Sequence, residues 1–157
     1  MLSLQELTKD TNKVDLEDIC SSWQWCLMDQ KSIALISCVG DMFLVAKDDS
    51  INWLDTGAGQ LKMIARNMQE FIELLEKDEN IDRWFLAPLV EELVKAGKIL
   101  KENEVYSFKQ MPVIGGDYSI DNFEPTDISV HFALTGQIAE QIKNVPDGTK
   151  VTIKFKQ

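Results

Sequence analysis

Residues 32–65 read SIALISCVGDMFLVAKDDSINWLDTGAGQLKMIA, and the fold follows from how this stretch is parsed. Ile33-Ala34-Leu35-Ile36 is an apolar run, Gly40-Asp41 interrupts it, and Met42-Phe43-Leu44-Val45-Ala46 is a second run. Lys47-Asp48-Asp49-Ser50 is polar throughout, Ile51-Asn52-Trp53-Leu54 resumes the extended pattern, and Asp55-Thr56-Gly57-Ala58-Gly59 closes it before Leu61 to Ala65. Short runs rich in β-branched and aromatic residues, bounded by Gly, Asp and Ser, are strands separated by turns. Connections this short join antiparallel neighbours. The stretch therefore predicts an antiparallel meander.

Upstream, Leu2, Leu4 and Leu7, then Leu16 and Ile19, suggest short helical pieces over residues 2–22. Asp15 is placed as N-cap of the second piece, with Asp18 at the capping-box position. Trp23 and Trp25 alternate with polar neighbours and predict the start of an extended region. Downstream, Asn67 can cap a helix whose apolar positions are Met68, Phe71, Ile72, Leu74 and Leu75. Glu70, Glu73 and Glu76 fall on the other side, with Lys77 one turn beyond Glu73. Asp82 is read as opening a short turn through Trp84 and Phe85. Pro88 suits the first turn of a helix carrying Leu89, Val90, Leu93 and Val94, and Gly97 ends it.

The last third reads as a return to strand: Val105-Tyr106-Ser107-Phe108, then a loop with Pro112, Gly115 and Gly116. Ile128, Val130, Phe132 and Leu134 alternate with Asp127, Ser129, His131 and Ala133, which predicts a strand with one buried face. Gly136 to Asn144 is expected to be helical, Pro146-Asp147-Gly148 a turn, and Val151 to Phe155 a final strand. Strands and helices are segregated along the chain. The expected class is α+β: antiparallel sheet or sheets with helices packed to one side, in a single compact domain.

The composition bounds the function. The chain has 157 residues, 45% apolar and 27% charged, with a net charge of −10. Residues 1–94 hold 18 acidic and 8 basic side chains, and residues 95–157 hold 8 of each, so the N-terminal part supplies the whole imbalance. Nucleic acid and anionic membranes are disfavoured partners, because both attract basic surfaces. A basic protein would be steered towards this one. Three cysteines without a C-x-x-C pair, and a single histidine, argue against a disulfide framework and against a zinc site. MLSLQELTKD has neither a basic segment nor an apolar core of the secretory kind, and the longest apolar run, Ile33 to Val39, is too short to span a bilayer; a cytoplasmic protein is expected.

No catalytic constellation stands out. Asp127, Ser129 and His131 share one face of the expected strand, but same-face neighbours lie roughly 6.6 Å apart by backbone rise, too far for a base to activate a nucleophile. Asp55-Thr56-Gly57-Ala58-Gly59-Gln60-Leu61-Lys62 lacks the spacing of a phosphate loop and reads as a β-turn. Asp117, Asp121, Asn122 and Glu124 do not follow the spacing of a calcium loop, and turn formation accounts for them. Gly115-Gly116 marks backbone that tolerates no side chain. No metal or cofactor is expected.

Several motifs in order carry a family resemblance: Trp84-Phe85, Leu89-Val90-Glu91-Glu92-Leu93, Ala96-Gly97-Lys98, Val105-Tyr106-Ser107-Phe108-Lys109, and Pro112-Val113-Ile114-Gly115-Gly116-Asp117-Tyr118-Ser119-Ile120-Asp121-Asn122. His131-Phe132, Gly136-Gln137-Ile138 and Pro146-Asp147-Gly148-Thr149 follow. Together they resemble the C-terminal domain of bacterial immunity proteins that guard against type VI secretion DNase effectors. Gly40-Asp41-Met42-Phe43-Leu44 and Trp53-Leu54-Asp55-Thr56 are similar to the end of the GAD-like domain that often precedes it. The resemblance implies a partial GAD-like region over 1–80 and an immunity-type region over 81–157 within one structural unit. It implies a non-catalytic, cytoplasmic protein that binds and neutralises a basic toxin of nuclease type. The expected contact residues are Glu70, Glu73, Asp78, Glu79 and Asp82 of one acidic helix, with Asp117 and Asp121 of the glycine loop. The alternatives are a small-molecule enzyme using the Gly115–Glu124 loop with His131 nearby, and a regulatory binding module.

Overall fold

Each run between Ser32 and Ala65 forms its own strand in the computed structural model, which describes residues 1–156. Strands β1 (Thr8–Lys9), β2 (Gln30–Ser37), β3 (Met42–Ala46), β4 (Ile51–Asp55) and β5 (Gln60–Ala65) lie side by side in chain order, all antiparallel. Phe43 is opposite Leu35 on one side and Trp53 on the other, and Leu54 faces Leu61. The two-residue β1 was hidden among the short N-terminal pieces. Helix α1 (Leu16–Ser21) begins where the capping argument puts it, with the Asp15 carboxylate accepting from the Asp18 N–H at 3.1 Å.

Residues beyond β5 form helices α2 (Met68–Leu75), α3 (Asp78–Phe85) and α4 (Ala87–Lys95). Asn67 caps α2 through the Glu70 N–H at 2.9 Å, as its position predicts. Pro88 sits in the first turn of α4, and that helix ends on Gly97 with the paired bonds of a Schellman motif, Gly97 N–H to Val94 O and Lys98 N–H to Leu93 O, each 3.0 Å. Then come β6 (Glu104–Phe108), β7 (Phe123–Asp127) and the long helix α5 (Ile128–Ile142). Strands β6 and β7 make a separate antiparallel pair, joined to the main sheet where the Tyr106 N–H meets Cys38 O at 2.7 Å.

Alternation along β3 explains the layering. Phe43 joins a cluster with Phe71, Trp84, Phe85, Val90 and Leu93 from α2–α4, whereas Met42 and Leu44 join Ile19, Trp23, Ile128, Phe132 and Ala139 from α1 and α5. The class is α+β and the chain is one compact domain. Its helices cover both faces of the sheet rather than one, because both faces of β3 are apolar.

Four local expectations are corrected. Residues 22–26 form turns, with the Trp23 N–H on Cys20 O and the Cys26 N–H on Trp23 O, and Trp23 is buried against Trp25 instead of opening a strand. Asp82 lies inside α3, which runs on through Trp84 and Phe85. Residues 128–134 are helical: the buried positions Ile128, His131, Phe132, Thr135, Gly136 and Ala139 recur at spacings of three and four. Val130 and Leu134 are the exposed members of the apparent alternation. Residues 151–156 form no strand; the Lys154 and Lys156 N–H groups bond instead to the Gln141 and Gln137 side chains on α5. Strand β7 went unread because Pro125 stands in its middle, tolerated on the edge of a two-stranded sheet.

Candidate protein-binding surface

Helix α5 carries His131 into the interior, where it is fully buried. Its Nε2 lies 2.8 Å from the Gly40 carbonyl oxygen, which can only accept, so Nε2 bears the proton. Nδ1 is then the acceptor, and the Ser107 hydroxyl donates to it at 2.6 Å. Gly40 makes this approach possible: it adopts φ +79°, and a Cβ there would stand 2.1 Å from Nε2. Beside it, Asp41 Oδ1 accepts from the Thr56 backbone N–H and hydroxyl, each at 2.9 Å, and Oδ2 accepts from the Trp53 indole N–H at 3.1 Å. This network bonds the β2–β3 turn, the β4–β5 turn, β6 and α5 to one another.

Asp127, Ser129 and His131 do not converge. The Asp127 carboxylate caps α5 through the Ser129 N–H at 2.9 Å and accepts from Asn103, and the Ser129 hydroxyl donates to Asp18. The strand spacing invoked against a triad does not exist, yet each of the three side chains is committed elsewhere. Asp117 and Asp121 are exposed, and Asp117 accepts from the Ser119 hydroxyl at 2.7 Å; neither bonds to His131. Gly116 is packed as its sequence position suggests, since a Cβ there would meet Gln110 O at 1.8 Å.

Burial drives the two interior titratable groups in opposite directions. It lowers the His131 pKa to about 4, against the Gly40 bond, and raises that of Asp41, helped by the Asp55 charge and opposed by the Thr56 and Trp53 bonds. A histidine pKa depressed on folding adds stability above its unfolded value of 6.5, and this is lost as pH falls towards 4. A carboxyl pKa raised on folding adds stability below 3.8, and this is lost as pH rises. The slopes oppose each other between about 4 and 6.5. Urea unfolding of Asp41→Asn across that range is therefore expected to show a steeper loss of stability on acidification than the parent. Parallel pH profiles would contradict this.

The expected acidic helix is two helices. Glu70 and Glu73 lie on α2, Asp78, Glu79 and Asp82 on α3, and the chain leaves helical geometry between them at Lys77. Lys77 therefore makes no pair with Glu73 among the described residues. Glu70 bonds Arg66 instead, Nε to Oε2 at 2.7 Å, and Arg66 holds its carboxyl below the usual range. Glu73, Asp78, Glu79 and Asp82 are exposed. Asp117 and Asp121 sit on a loop shaped by Asn122, whose amide donates to Gln110 O at 2.9 Å and to Asp117 O at 2.7 Å. Lys98 ties that loop to the end of α4 through Ile120 O at 2.6 Å and Phe123 O at 2.8 Å.

A cleft of about 210 Å³ opens where α3 meets the glycine loop, lined by Asp41, Trp53, Asp55, Arg83, Phe108 and Tyr118 among others. None of these six was singled out as a contact. Their sequence signals are the G-D and W-L-D-T motifs of the meander, the motifs Val105–Lys109 and Pro112–Asn122 that hold Phe108 and Tyr118, and the place of Arg83 next to Asp82.

Residues 65–139 match the family described as T6SS immunity protein Tdi1, C-terminal. That segment runs from the end of β5 into α5 and contains both acidic helices and the glycine loop. No curated protein matches the chain. Among solved structures, the crystal structure of Atu4351 from Agrobacterium tumefaciens is similar, with a TM-score of 0.54 and 18% identity, over 79% of this chain and 65% of that one. The present chain thus spans under two thirds of that protein's length, and at this identity the likeness concerns the fold. The likeness to the family of the T6SS immunity protein Tdi1 C-terminal domain covers residues 65–139, just under half of this chain.

Proposed function

We propose that this chain is a cytoplasmic immunity protein that binds a cognate toxin of a type VI secretion system, a nuclease, and neutralises it by protein–protein contact without chemistry of its own. The observation that carries this reading is the family match over residues 65–139. Charge supports the choice of target: a nuclease needs a cationic surface for DNA, and a chain of net charge −10 is attracted to such a surface. Among the described residues no helix is long and apolar enough to cross a membrane, which is compatible with a toxin met in the cytoplasm. A partial GAD-like region over residues 1–80 would supply the sheet against which the family segment packs.

The reading assigns first contact to Glu70, Glu73, Asp78, Glu79 and Asp82, with Asp117 and Asp121 alongside. Expression of this chain is expected to rescue bacteria from the toxin encoded beside its gene; the absence of any toxic neighbour, or failure to rescue, would remove the proposal. Reversing Glu73, Asp78, Glu79 and Asp82 together to lysine is expected to slow association about tenfold or more at low ionic strength, with the difference shrinking as salt rises. Stopped-flow rates that are equal across salt would move the contact to another face.

A further inference from the structure

The cleft between α3 and the glycine loop has the chemistry of a receptor for a single side chain. Three aromatic rings from separate segments line it: Trp53 from β4, Phe108 from β6 and Tyr118 from the loop. Phe108 and Tyr118 meet edge to face at 6.5 Å. Asp41 and Asp55 are also among the lining residues. Asp41 is turned inward onto Thr56 and Trp53. Asp55 is less enclosed: one oxygen accepts from the Ala58 N–H at 3.2 Å, and the other meets the half-exposed Lys62 at 3.7 Å. The Lys62 ammonium also lies 5.2 Å over the Trp53 ring and would be displaced by a stronger cation. The cation in the lining, Arg83, lies 5.6 Å from the Trp84 ring centre and donates to Asn80 at 3.4 Å, with no ion pair among the described residues. Two of the lining residues are chain neighbours of the acids assigned to first contact: Arg83 follows Asp82, and Tyr118 follows Asp117.

Size and charge select the occupant. About 210 Å³ falls below the range of about 300 Å³ and upward typical of small-molecule pockets. A planar cation gains from aromatic faces and from a carboxylate together, and arginine offers both interactions in one head group. We propose that this cleft receives one arginine side chain of the protein partner, its guanidinium against Tyr118, Phe108 and Trp53 and facing Asp55. The assignment rests on the protein-binding reading above and adds an anchor that the acidic helices alone lack. Exposed acids steer association, whereas binding energy concentrates in desolvated pockets.

The direct probe is capped arginine (N-acetyl-arginine methylamide), titrated into the full chain while the Trp53 indole N–H is followed by NMR. A saturable shift is expected, absent with capped norleucine and weakened about tenfold in Tyr118→Ala and in Asp55→Asn. An equal response to norleucine, no response to arginine, or unchanged affinity in both variants would overturn the assignment. Affinity for the toxin encoded beside the gene separates this proposal from the reading beneath it. A parent that binds, with both variants about thirtyfold weaker, supports the anchor. A parent that binds, with variants equally tight, sinks the anchor and leaves the immunity reading standing. If the parent itself fails to bind, the immunity reading falls, and the arginine titration still decides what the cleft accepts.

Discussion

Gly40→Ala is expected to destabilise the protein by about 3 kcal/mol or more. Two causes act together. The residue holds φ +79°, a conformation that a Cβ makes unfavourable, and that Cβ would lie 2.1 Å from His131 Nε2. The imidazole cannot simply retreat, because Ser107 holds its other nitrogen at 2.6 Å and the ring is fully buried. Urea unfolding measures the loss. Pairing the change with His131→Ala tests its origin: once the imidazole is gone the clash is gone, so the double variant should be less impaired than the sum of the singles, by about 1–3 kcal/mol. Simple additivity would mean that backbone strain alone is at fault.

Phe43→Ala is expected to cost about 3–5 kcal/mol. Phe43 is the central ring on one face of the sheet, with ring centres at 4.9 Å for Phe85, 5.6 Å for Phe71, 6.3 Å for Trp84 and 6.4 Å for Trp53. Truncation removes the side chain that joins the meander to α2 and α3, and rings of this size cannot collapse into the space. Phe43→Leu keeps most of the volume and should lose much less, about 1.5 kcal/mol. Equal losses for leucine and alanine would show that ring contacts, rather than filled volume, set the stability.

What could be read in the chain beforehand depended on how local the determining physics was. The meander was legible because each strand is a run of β-formers with its own turn, and the caps Asp15, Asn67 and Gly97 act within one helical turn of themselves. Helix α5 was misread because its buried stripe contains His131, which bonds Gly40 and Ser107, Thr135, whose hydroxyl bonds back to His131 O, and Gly136, which packs against Ser22. With those three looking polar or small, Val130 and Leu134 imitated a strand. The family likeness was legible in the ordered motifs from Trp84 to Ile138, which fall within the matched residues 65–139. The cleft was not, since its lining is drawn from the meander, α3, β6 and the glycine loop, and only the folded chain brings Asp55, Arg83 and Tyr118 to one space.

The two acidic stretches illustrate the same limit. Their charge was plain, but the break at Lys77 separates Glu70 and Glu73 from Asp78, Glu79 and Asp82, so they do not act as one helical face. Only the second stretch is followed directly by a lining residue of the cleft, Arg83, as Asp117 is followed by Tyr118. As proposed above, an aromatic-walled pocket would add to recognition an anchor that exposed acids alone lack.

The proposed inhibition by contact without chemistry makes a quantitative demand. Titrating this protein into a fixed amount of the toxin encoded beside its gene, with DNA cleavage as readout, should abolish activity at molar equivalence and not before, and the two should co-elute as a complex. Protection at a small fraction of equivalence, with the toxin or its product chemically altered, would show that this protein acts by turnover and would contradict the account.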